Sequence, residues 1–272
     1  MSSGPFVISR SVGRKFIMGI TGLFLVTFLI THLSGNFLLF KDDGGVAFNE
    51  YTRFMTTNPL IGVAEWILFA GFIAHIAYAV VLTIQNRKAR PERYAFNKNE
   101  GSSSSWFSRN MGLSGTIVFA FLIIHLAMFW GRYQFGDETG TVTLSQSYHN
   151  AWKIKEDVTD QSGKVLVEKD SYVTADDLTI LANQGMTEKE VKAISMINVV
   201  KASFKDPLVV GFYVLAMILL AFHLQHGFQS GFRSLGLIHK KYTPTIITLG
   251  KAFSVVVPLA FAAMPVYYFF FQ

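Results

Sequence analysis

The chain contains no cysteine. That absence excludes disulfides, thiolate zinc sites, cysteine-ligated iron–sulfur clusters, covalent haem attachment through C-x-x-C-H and a cysteine nucleophile. Charge is the second shortage. Asp, Glu, Lys and Arg make up 15% of the 272 residues, against about 25% in soluble domains. Hydrophobic residues make up 51%, more than one small soluble core buries and too many for a disordered chain. No G-x-S-x-G, H-E-x-x-H or P-loop occurs, which argues against a hydrolase of the soluble kind. A redox cofactor, if there is one, has to be held by other side chains, and seven histidines are present.

Crossing a bilayer takes about 20 apolar residues. Five stretches meet that length: residues 16–40, 59–86, 110–131, 207–232 and 242–272. Pro59 and Pro207 open their stretches, where a missing N–H costs nothing. Pro258 and Pro265 fall inside the fifth, where kinks are expected. The first stretch is too long for a signal peptide and is read as a retained helix. Loop charge sets the orientation. Basic residues crowd the N-terminus (Arg10, Arg14, Lys15), the second connection (Arg87 to Arg109) and the fourth (Arg233, Lys240, Lys241). The long connection from Arg132 to Asp206 instead carries nine basic and twelve acidic residues. The expected fold is therefore an all-α membrane protein, one domain of five transmembrane helices in a bundle. Its N-terminus is cytoplasmic and its C-terminus lies on the outer side. The net charge of +6 reads as topology and not as nucleic-acid binding, since no basic–aromatic patch accompanies it.

Residues 132–206 form an insertion on the outer side. Thr174–Asp177 and Thr187–Glu190 both fit a helix-start capping box. Each precedes apolar residues at helical spacing, so two short surface helices are expected there. Gly101–Ser105 reads as a flexible inner linker. No internal repeat stands out.

Four histidines, His32, His75, His125 and His223, lie inside the apolar stretches. Ionisable groups at such depth are rare and face a bundle interior. Counted at ~1.5 Å per residue, His32 lies ~26 Å and His125 ~24 Å from the inner face. His75 and His223 each lie ~24 Å below the outer face. The four thus form an outer pair and an inner pair. Two pairs on four helices suit two haems, each clamped between imidazoles. Zinc or copper fits worse, because each pair lacks a third ligand. Gly71, four residues before His75, and Gly227, four after His223, leave room for a macrocycle or for close helix packing. His226 shares a face with His223 and suits a haem propionate or a helix cap. His149 and His239 read as surface residues.

These residues resemble the single-subunit, two-haem cytochrome b anchor of the succinate:quinone oxidoreductases, the succinate dehydrogenases and fumarate reductases. The resemblance runs over all five stretches. It rests on Thr31-His32-Leu33, the run A-F-N-E-Y-T-R-F-M at Ala47–Met55, Ala74-His75, Ser114-Gly115 ten residues before His125, and H-L-Q-H-G at His223–Gly227. It implies that His75 and His223 ligate the proximal haem and His32 and His125 the distal one. It implies two haem b groups, with quinone (menaquinone or ubiquinone) as the substrate at this subunit. A flavoprotein subunit and an iron–sulfur subunit would dock on the cytoplasmic face of a bacterial-type inner membrane. The insertion at 132–206 is longer than the family pattern leads one to expect.

Glu65 is the one acid inside a span, ~9 Å below Pro59. It reads either as a proton carrier to quinone or as an interfacial carboxylate. Two other readings of the whole chain remain open. One is the cytochrome b subunit of a hydrogenase or formate dehydrogenase type of enzyme. The other is a haem-free transporter whose histidines relay protons.

Overall fold

The computed structural model describes residues 11–89, 110–135, 140–143, 152–173, 177, 180, 181, 183, 184 and 190–272. Five of its helices are long and apolar enough to cross a membrane. Helix α1 (Ser11–Asn36) runs on into a 3-10 turn, Phe37–Phe40. Helices α3 (Pro59–Lys88), α4 (Met111–Phe135), α6 (Pro207–Ser234) and α7 (Thr243–Phe271) are the other four. Two shorter helices, α2 (Val46–Thr57) and α5 (Met196–Ser203), lie in the connections. Pro59 and Pro207 take the first helical position, as their missing N–H predicts. Helix α7 continues through both Pro258 and Pro265.

Helix α3 shows why these elements belong in lipid. None of its residues is buried, and Leu60 and Trp66 are each 77% exposed. A helix apolar on every side has no polar face to turn to water, and hydrocarbon removes the cost of exposing it. The chain is thus read as a multi-pass membrane protein.

The chain divides into two compact units. The first takes in the described residues of Met1–Leu33, Val63–Ala120 and Tyr213–Ala262. Here α1 and α6 approach backbone to backbone. A Cβ on Gly19 would stand 3.1 Å from the Gly231 carbonyl oxygen, so a side chain there would push the helices apart. Between α6 and α7, the Ser254 hydroxyl donates to Gln225 Oε1. That bond supplies a polar tie where the hydrophobic effect gives none.

The second unit comprises Ser34–Gly62, the described residues of Phe121–Phe212, and Ala263–Gln272. Its insertion carries a four-stranded sheet in the order β1 (Gly140–Thr143), β6 (Glu190–Ile194), β2 (Trp152–Ile154), β5 (Tyr172–Val173). Every pairing in it is antiparallel. A hairpin of β3 (Val158–Thr159) and β4 (Val165–Val167) adjoins it in sequence. Trp152, Ile154, Val158, Val173, Leu181 and Ala193 form a separate hydrophobic core.

The insertion corrects two expectations. The fold is not all-α, because the described residues of 132–206 contain six strands. The helix expected from Thr187 onward is strand β6. Apolar residues three apart fit either period over so short a window. Sheet pairing on both sides, with β1 and β2, decides the matter, and helix begins only at Met196. Of the other expected helix, Asp177, Ile180, Leu181 and Asn183 are helical, and Thr174 lies outside the described residues.

One side chain ties the insertion to the connection between α1 and α3. Asn49 of α2 is 2% exposed. Its Oδ1 accepts the Ile197 N–H at 3.0 Å, and its Nδ2 donates to Ser195 Oγ at 2.7 Å. Ser195 stands at the N-cap of α5 but makes no side-chain cap bond itself. Asn49 therefore caps a helix it does not belong to. Gly45 permits the approach: its φ is +94°, and a Cβ there would fall 2.5 Å from Ile197 Cγ1.

Candidate functional site

The four histidines singled out from the sequence sit on four of the long helices: His32 on α1, His75 on α3, His125 on α4 and His223 on α6. Two of them meet in the first unit. The rings of His75 and His223 stand with centroids 6.3 Å apart and planes at 68°. Each ring brings a nitrogen that needs a partner.

The surroundings of the two rings differ in their hydrogen bonds and agree in their packing. His75 Nδ1 lies 3.3 Å from Thr21 Oγ1 of α1. His223 Nδ1 is buried and has no hydrogen-bond partner among the described residues. Each ring turns its Cε1–Nδ1 edge to a glycine of another helix. A Cβ on Gly22 of α1 would stand 3.4 Å from His75 Cε1 and 3.8 Å from Nδ1. A Cβ on Gly115 of α4 would stand 3.2 Å from His223 Cε1 and 3.5 Å from Nδ1.

Thr21, Gly22 and the role of Gly115 were not legible as a site, yet a signal for them exists in the sequence. Met18–Leu33 reads MGITGLFLVTFLITHL and Met111–Leu126 reads MGLSGTIVFAFLIIHL, with eight of sixteen positions identical. This short repeat corrects the expectation that none is present. Among its shared positions are the glycines that face the two rings, Gly22 at His75 and Gly115 at His223. The last histidine of each copy is His32 or His125. Each of those two has a phenylalanine of its own copy four residues earlier stacked on it, Phe28 on His32 at 5.2 Å and Phe121 on His125 at 5.6 Å.

His32 belongs to the first unit, where Phe261 of α7 also faces it at 5.5 Å. His125 belongs to the second, with Phe129 at 5.3 Å. Directly after His125 the helix widens into a π-helical segment, Leu126–Gly131. Such segments insert an extra residue per turn and cluster at functional positions.

The remaining expected residues are dispersed. Gly71 lies against the Phe24 ring, where a Cβ would approach to 2.8 Å. Gly227 is in loose contact with Met111, at 3.7 Å from its Cε. Glu65 is half-buried in the second turn of α3. His226 is half-buried on α6, His239 is exposed beyond its end, and His149 lies outside the described residues. Among the described residues no three His, Cys, Asp or Glu groups gather as a metal site. His75 and His223 are thus a two-ligand pair, a poor fit for zinc, which takes three or four protein ligands.

Compared with family models, with curated proteins and with solved structures, the chain matches none.

Proposed function

We propose that this protein is a membrane cytochrome b that carries electrons through two haems, the inner one held by His75 and His223 and the outer one by His32 and His125. The observation that carries the reading is the facing of the first two rings, 6.3 Å apart at their centroids. At that spacing His75 and His223 would hold one metal ion between a nitrogen of each ring. The His223 Nδ1 without a partner fits a ring whose position is dictated by its other nitrogen. The repeat adds support for the outer pair, since it puts His32 and His125 at the same place in both copies.

A haem held by two histidines would supply an iron that exchanges single electrons and does not take up oxygen. The chain's own part is to fix the rings, exclude water from them and insulate the path with aromatic side chains. The resemblance of the sequence then narrows the role to the membrane anchor of a succinate:quinone oxidoreductase. In that role the N-terminus faces the cytoplasm, a flavoprotein and an iron–sulfur subunit dock there, and menaquinone or ubiquinone exchanges electrons within the membrane. Glu65 is assigned to proton transfer with the quinone, because it is the one acid within a span.

The test is a dithionite-reduced minus oxidised spectrum of the purified chain with haem quantitation. Two low-spin b haems per chain, unreactive to carbon monoxide, are expected. A folded chain without haem, expressed in a haem-sufficient host, overturns the proposal.

A further inference from the structure

The hydrogen bond at His75 has a direction that can be worked out. Thr21 has one hydroxyl proton, and two carbonyls of its own helix lie within reach, Ile17 O at 2.9 Å and Met18 O at 3.2 Å. With the proton turned to the backbone, Oγ1 offers only lone pairs to His75 Nδ1. The hydrogen of that contact therefore sits on the imidazole. A neutral imidazole protonated at Nδ1 keeps its free lone pair on Nε2.

The second copy of the repeat holds the same parts. Ser114 is buried and donates its proton to Met111 O at 3.1 Å, the carbonyl that corresponds to Met18 O. Its oxygen too has only lone pairs left. His223 turns the edge bearing its unpartnered Nδ1 to Gly115, the residue next to Ser114. Ser114 Oγ makes no hydrogen bond to that Nδ1, so the worked-out contact belongs to Thr21 and His75 alone.

We propose that the Thr21 hydroxyl accepts the Nδ1–H of His75, so that His75 would present Nε2 to the iron. This rests on the haem reading of the same site and adds one positioning residue to it. An acceptor on the outer N–H makes a ligating imidazole more basic and favours the more highly charged metal. The Thr21 hydroxyl thus holds the potential of that haem down.

The experiment is a redox titration of the haems in the purified full-length chain and in Thr21→Val, Thr21→Ser, Ser114→Ala and Ser114→Thr. Valine fills the space of threonine, so it removes the acceptor and keeps the packing. We expect Thr21→Val to raise the midpoint of one haem component by about tenfold in its ferric-to-ferrous balance, which is about 59 mV for one electron. Thr21→Ser keeps the parent value. Ser114→Ala and Ser114→Thr, which touch no bond to a histidine, leave both components in place. Loss of that haem from Thr21→Val but not from Thr21→Ser supports the assignment equally. Potentials unchanged in Thr21→Val overturn it, as does haem loss in both Thr21→Val and Thr21→Ser, which marks a packing role. A wild-type chain without haem overturns the haem reading and this one together. Two haems that ignore Thr21→Val overturn this one alone.

Discussion

Replacing Asn49 with leucine removes two hydrogen bonds at a site 2% exposed while keeping nearly the same volume. The Ser195 hydroxyl rotates to find another partner, so its loss is minor. The Ile197 N–H has no such freedom. It is the second N–H of helix α5, no residue of its own helix accepts it, and Asn49 Oδ1 takes it at 3.0 Å. Leaving it unsatisfied costs about 1–3 kcal/mol, and losing a helix cap costs typically ~1 kcal/mol. These overlap, because they are the same bond, so we expect about 1–3 kcal/mol of local destabilisation. Hydrogen exchange reads that value directly where opening is in fast equilibrium. The amides of Met196–Ser203 should exchange about 5- to 150-fold faster in Asn49→Leu, at 1.4 kcal/mol per tenfold. The five long helices should be unaffected. Unchanged protection over α5 would show that Asn49 does not hold the insertion, and would refute the reasoning.

Three further outcomes are expected. Gly115→Ala sets a Cβ 3.2 Å from His223 Cε1, whereas Gly22→Ala sets one at an ordinary 3.4 Å from His75 Cε1. Overpacking costs about 1–3 kcal/mol, against about 0.5–1 kcal/mol gained by replacing a helical glycine, so haem content should fall in Gly115→Ala and hold in Gly22→Ala. The Asp43 carboxyl feels burial, which raises its pKa, but the Ala47 and Gly45 N–H groups and Lys41 outweigh it and hold it below 3.8. Its contribution is therefore complete above about pH 4 and is lost as pH falls through the lower folded value. Asp43→Asn should flatten that acid limb in a thermal-stability series from pH 2 to 6. Glu65→Gln should lower quinone-linked turnover of the assembled complex roughly a hundredfold without changing haem content, and unaltered turnover would remove the proton role.

The long helices were legible because apolar length is a one-dimensional property. Pro59 and Pro207 even marked where two of them start. The insertion was misread where a local pattern competes with partners far away in sequence. Val191 and Ile194 fit a helix by spacing, but β6 pairs with strands that begin at Gly140 and Trp152. No capping-box reading anticipates such pairing. The meeting of His75 with His223 agrees with their equal distance in sequence from Pro59 and Pro207, which open their helices. The residues packed on them were harder to see. Glycines four residues away on the same helix, Gly71 and Gly227, drew attention because helical spacing makes them neighbours of the histidines. The glycines that face the rings, Gly22 and Gly115, come from other helices, and only the comparison of Met18–Leu33 with Met111–Leu126 exposes them.

The most direct test of the central claim is the haem complement of single alanine variants of the four histidines, each purified as the full chain and quantified by pyridine haemochrome with redox titration. The account predicts two haems in the wild type. It predicts loss of one and the same component in His75→Ala and His223→Ala, and loss of the other in His32→Ala and His125→Ala. Variants of His75 and His223 that disturb different components, or that leave both haems in place, would contradict it.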